Sequence, residues 1–248
     1  MAEENKTTTN TAAETAAPAE KESKSDGIIE VLVAIFLGIT ALLTAWASWI
    51  GSLHGGNQAT NYTESNNLAT EGNSMYNEAM QNYLSDLMVW NTYNEYYYDL
   101  DIANINGNEE EAALIQEKID NYIADNGTEI LIEAMETMQA EEGKYNTPFE
   151  VEGMTDKYYA DAEDKIALAE EKLEQGKRDN GNGDRFNLVN VIYSIVLFML
   201  GIVGIFKHLP CRAAVLVIAV VGLIATTIFM LTIPMPTGFD FMSYFSHG

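Results

Sequence analysis

Three apolar stretches, 28–50, 188–206 and 213–233, limit what this chain can become more than any other feature. Each is close to the ~20 residues that a helix needs to cross a hydrocarbon core of ~30 Å. Glu30, near one end of the first stretch, is the one charged side chain they contain. Between the first and second lies a long acidic region, so the sequence predicts an all-α membrane protein with three transmembrane helices. The expected soluble domain is a long antiparallel, coiled-coil-like helical hairpin. In chain order, residues 1–26 read as a disordered acidic, Thr/Ala-rich tail and 27–50 as transmembrane helix 1. Residues 51–186 read as an acidic helical stalk with a short helical insertion at about 109–140. Residues 187–206 are transmembrane helix 2, 207–212 a basic turn, 213–233 transmembrane helix 3, and 234–248 an aromatic tail.

Tail residues 1–24 hold almost no large apolar side chains and cannot bury enough surface to offset their ordering entropy. Asp26 is placed to cap the first span. Trp46 and Trp49 mark its other end, where indoles favour the interface. Along this span Ala34, Gly38, Ala41, Ala45 and Ser48 fall at steps of three and four and form a small-residue face suited to close helix packing. The aromatic tail, with Phe239, Phe241, Tyr244 and Phe245, suits the membrane interface.

The acidic region carries the second pattern. From Tyr62, every seventh residue reads Ala69, Tyr76, Tyr83, Trp90 and Tyr97. A repeat of seven held over this length predicts a helix with one seam turned toward a partner helix. Gly51, Gly55 and Gly56 are expected to punctuate the exit from the span, and Asn106-Gly107 to end the helix. Two short amphipathic helices follow, separated at Asn126-Gly127. Then Tyr159, Ala162, Ile166, Ala169 and Leu173 give a second seam, on a helix returning antiparallel to the first. The run Asp179-Asn-Gly-Asn-Gly-Asp184 reads as a flexible joint.

Charge narrows the partners. Asp and Glu number 37 against 13 Lys and Arg, a net charge of −24. That balance argues against nucleic acid and against docking on anionic headgroups, and it favours attraction of cations or basic partners. Short basic segments set membrane orientation while long segments cross largely regardless of charge. Lys21, Lys24, Lys207 and Arg212 lie in short segments on one side; Lys172, Lys177, Arg178 and Arg185 belong to the long region. The expectation is a multi-pass cell-membrane protein with a cytoplasmic N-terminus. Residues 51–186 and the C-terminus are then extracytoplasmic. The single cysteine, Cys211, excludes an intrachain disulfide.

The segment Ala41-Leu-Leu-Thr-Ala-Trp-Ala-Ser-Trp-Ile50, with 51–61 and 193–221, resembles an uncharacterised family of small bacterial three-span membrane proteins, classed as a domain of unknown function. The longer acidic middle and the tyrosine richness depart from that pattern. The resemblance implies a bacterial or archaeal membrane protein and adds no activity.

No Gly-rich phosphate loop, nucleophile elbow, HExxH or CxxC occurs. His54, His208 and His247 share no metal-ligand spacing. An EF-hand register with Gly107 at its sixth position puts Ile102 first and Ala113 twelfth, and both fail as ligands. The reading is therefore not an enzyme, with no catalytic residues, cofactor or bound metal. Its expected partners are the lipid bilayer and either copies of itself or another membrane protein. The function expected is a structural or assembly role. The alternative is an oligomeric transport or sensing component whose acidic ectodomain attracts cations.

Overall fold

The computed structural model describes residues 24–243, and side chains from Gly27 onward. The expected tail of 1–26 lies outside these except for its last three residues, and Tyr244 and Phe245 also lie outside. The described chain is helical, with no strand: α1 (Lys24–Ile105), α2 (Glu109–Asn126), α3 (Glu129–Ala140), α4 (Met154–Ile202) and α5 (Leu209–Leu231). Short 3-10 turns stand at Pro148–Glu150 and Val203–Ile205. Helices α1, α4 and α5 are each long and apolar enough to cross a membrane.

Two expected breaks are absent. Asp26 lies within α1 rather than ahead of it, and α1 runs without interruption through Gly51, Gly55 and Gly56. Each glycine costs a helix interior about 1 kcal/mol relative to alanine. A long helix tolerates this because propagation is cooperative once the nucleus exists. The expected joint at 179–184 lies inside α4. Its first residue is buried and bonded to α1, as described below, so tertiary contact overrides the local preference for a turn.

Local chemistry sets the ends that do occur. Gly107 takes φ +71, a left-handed conformation that favours glycine. Its N–H donates to Asn104 O and that of Asn108 to Ala103 O, both at 3.1 Å, which satisfies the last carbonyls of α1. Asn108 then caps α2, accepting from Glu111 N at 3.3 Å. Thr128 caps α3 in the same way, accepting from Leu131 N at 3.2 Å.

By its contacts the chain divides into two units. One comprises residues through Trp49 together with Phe186–Ile233; the other comprises Ile50–Arg185 and the segment from Pro234. In the first, α4 buries Phe186, Val189, Tyr193, Val196 and Leu200, and α5 buries Leu216, Ala219, Leu223, Thr226 and Met230. These steps of three and four make one packed stripe on each helix. A Cβ on Gly222 would sit 3.3 Å from Val196 Cγ2, so the helices approach closely there. Tyr193 Oη meets Thr227 Oγ1 at 3.0 Å, giving the buried phenol a polar partner. Arg212 Nη2 reaches Glu30 Oε1 at 3.2 Å, which neutralises the one charge in the first apolar stretch. Outward, Leu42, Val191, Phe198, Val217, Ile228 and Leu231 remain more than half exposed. Apolar side chains on the outside suit a lipid solvent.

In the second unit, α2, α3 and the Pro148–Glu150 turn pack on α1 and α4. The core there joins Ala79, Val89 and Trp90 of α1 to Leu131, Ala134 and Met135 of α3 and to Met154 and Tyr158 of α4. A smaller cluster, Leu100, Ala103, Ala112 and Ile119, seats α2 against the end of α1.

Candidate functional site

The features most able to define a working part of this molecule lie along the line where α1 meets α4 in the second unit. On α1 the buried row facing α4 is Ser65, Gly72, Ala79 and Asp86. On α4 it is Ala162, Ala169 and Gly176. All are small or polar, and the rows face each other directly. A Cβ on Gly72 would come within 2.8 Å of Ile166 Cγ1, and one on Gly176 would collide with the Tyr62 ring. Ser65 Oγ donates to Ala169 O at 2.8 Å.

This displaces the tyrosine row to the flank. Trp90 is buried, while Tyr62, Ala69 and Tyr83 are half-buried and Tyr76 and Tyr97 are exposed by 42% and 47%. The rings still work as packing surfaces. Tyr76 lies against Tyr159 at 4.7 Å, and Tyr83 meets Phe149 and Tyr158 edge to face at 5.5 and 5.6 Å. On α4, Ala162 and Ala169 are buried, Tyr159 and Ile166 are half-buried, and Leu173 remains 38% exposed. Helices separated by small residues leave no room for tyrosines between them, so the aromatic rings lean across from the side.

Two polar clusters close this line at either end. At one, His54 is buried with Nδ1 2.7 Å from Asp179 Oδ1 and Nε2 3.1 Å from the Pro234 carbonyl. Asn61 Nδ2 donates to Asp179 Oδ2 at 3.2 Å, and Asn57 Nδ2 to Thr237 O at 3.2 Å. The cluster ties α1, α4 and the segment after α5 into one network. At the other, the buried Asp86 carboxylate accepts from Thr128 N at 3.1 Å, from the Thr128 hydroxyl and from the Tyr158 hydroxyl. One side chain of α1 thus holds the start of α3 and the start of α4. Burial first, and the bond to Asp86 next, push the Tyr158 phenol above its ordinary range.

Between these clusters Lys172 pairs with Glu64 at 2.6 Å and Lys165 with Glu71 at 2.9 Å. These pairs are partly exposed and each contributes about 0.2–1 kcal/mol, so they mark register more than they hold it. Positions that rise along α1 meet positions that fall along α4.

Sequence reading missed His54, Asp86 and Asp179. None belongs to a motif that marks it in sequence, and the partners lie 125, 42 or 72 residues away. In the apolar unit, Ala34, Gly38, Ala41, Ala45 and Ser48 are all exposed, and the side of α1 that packs carries Thr40 and Ala47. Among the described residues, no three of His, Cys, Asp and Glu converge to hold a metal ion. Comparison with known family models, with curated proteins and with solved structures finds no match in any of the three.

Proposed function

We propose that this chain is a membrane-anchored helical stalk with a structural or assembly role in a prokaryotic cell membrane, of the uncharacterised three-span kind. In this reading α1 and α4 form an antiparallel, coiled-coil-like hairpin, and the apolar parts of α1, α4 and α5 span the bilayer. The N-terminus is cytoplasmic, and residues 51–186 with the C-terminus are extracytoplasmic. The observation that carries the reading is the line of small residues closed by a buried polar cluster at each end. Such clusters fix register, because any slip leaves buried charged groups without partners. A helix of this length, at 1.5 Å per residue, gives a soluble arm of roughly 80 Å beyond residue 51.

Assembly in the membrane is assigned to the open small-residue face of α1. A face of Ala34, Gly38, Ala41, Ala45 and Ser48 allows close backbone approach by a second helix, and the chain itself leaves it uncovered. The test is disulfide crosslinking in native membranes with Cys211 replaced by Ser and one cysteine introduced, Ala41→Cys or Leu42→Cys. Dimer from position 41 and none from position 42 supports the reading. Monomer from both counts against self-assembly through this face.

A further inference from the structure

A groove of about 410 Å³ opens between α1, α2 and α3, within the range of small-molecule sites. Its α1 wall is aromatic. Trp90 stacks on Tyr93 at 5.0 Å and 14°, and Tyr93 on Tyr97 at 5.8 Å and 24°, so the rings form a preset rail. Tyr93 and Tyr97 line the groove, with Ile123 and Met135 supplying aliphatic surface opposite. The charged residues lining it are Asp120 of α2 and Glu136 of α3; no Lys, Arg or His does. Gln116 Nε2 donates to Asp120 Oδ1 at 2.8 Å, which leaves the second oxygen available.

Each feature narrows the ligand. Two carboxylates over an aromatic wall, in a chain of net charge −24, exclude anions. A bare metal ion is disfavoured because no third ligand converges among the described residues. The Tyr93 phenol is held neutral by burial first and by the Tyr97 and Asp120 charges next, so it offers a ring face rather than a phenolate. The same pair of helices already displays the matching contact: Lys118 Nζ of α2 lies 3.6 Å from the centroid of the Tyr96 ring of α1. A desolvated cation over a tyrosine face gains about 0.5–2 kcal/mol, and quaternary ammonium groups are the ligands that exploit it most.

We infer that this groove is a binding site for a small organic cation with a flat or apolar body, its charge facing Asp120 and Glu136 and its body lying on Tyr93 and Tyr97. The site stands apart from the proposed assembly face and does not depend on it.

The test is calorimetric titration of the full chain in a nonionic detergent with three probes: benzyltrimethylammonium, uncharged 3-phenyl-1-propanol and anionic benzenesulfonate. The cation is expected to bind about tenfold or more tightly than the neutral probe, with no binding of the anion. The double substitution Asp120→Asn, Glu136→Gln should weaken the cation about tenfold and leave the neutral probe unchanged. Glu136→Gln alone changes an exposed side chain and serves if the double variant loses its helical circular dichroism. Equal affinity for cation and neutral probe would reduce the groove to an apolar crevice. Unchanged cation affinity in the variants would place binding elsewhere on the acidic surface. Absence of wild-type binding at millimolar cation would overturn the proposal.

Discussion

Tyr158 donates a hydrogen bond from its hydroxyl to the Asp86 carboxylate, and that bond joins α4 to α1 across 72 residues of sequence. Tyr158→Phe should lower stability by about 1–2 kcal/mol at neutral pH, since Asp86 then loses one of its donors. The pH dependence has a definite sign. Burial and the Asp86 bond favour the neutral phenol, so this contribution is intact below the unfolded value near 10 and is lost as pH climbs above it. Thermal melts from about pH 8 to about pH 11 should therefore fall more steeply for the native chain than for Tyr158→Phe. Parallel curves would remove Tyr158 as a source of the alkaline loss. Gly176 makes a steric argument of the same kind. Gly176→Ala should cost about 1–3 kcal/mol because the new methyl meets the Tyr62 ring. Adding Tyr62→Ala should restore part of that loss, which a double-mutant cycle in urea would measure. Additive effects would mean that the two residues do not touch.

The helix that most needs explanation is α4. It passes through Asp179-Asn-Gly-Asn-Gly-Asp184, a composition that favours turns, yet stays helical from Met154 to Ile202. Gly181 has open space where a Cβ would go and no left-handed backbone, so nothing there demands glycine. Gly181→Ala should raise stability by about 0.5–1 kcal/mol if the segment is helical. A thermal melt that shifts down would instead support a turn at that position. For α1, the lesson lies in which heptad row is central. A row of Tyr and Trp stands out in sequence because its side chains are large, but the row that allows two helices to approach is the one with the smallest. Small residues carry little hydrophobic signal, so their pairing is weakly written in a single sequence.

Across the whole molecule, orientation is the property on which the proposed role depends. Asn73 is exposed on α1 and Cys211 is exposed at the start of α5. With Asn73→Cys in intact cells, an impermeant maleimide should label position 73 and spare Cys211 if residues 51–186 are extracytoplasmic. The reverse pattern would place the acidic unit in the cytoplasm and make an adaptor role there the leading reading.

The sequence by itself determined the helical class, the membrane-competent stretches and the helix ends at Asn106-Gly107 and Asn126-Gly127. These depend on information within a few residues: apolar run length and the Asn106-Gly107 and Asn126-Gly127 turns. Tertiary structure alone decided that Asp179 sits in a helix, that His54 and Asp179 meet, that Asp86 gathers Thr128 and Tyr158, and that Tyr93, Asp120 and Glu136 share one groove. The reason is physical. A helix end is fixed by hydrogen bonds between near neighbours, whereas a buried polar cluster or a groove exists only after distant segments have packed, and its members carry no periodicity that marks them beforehand.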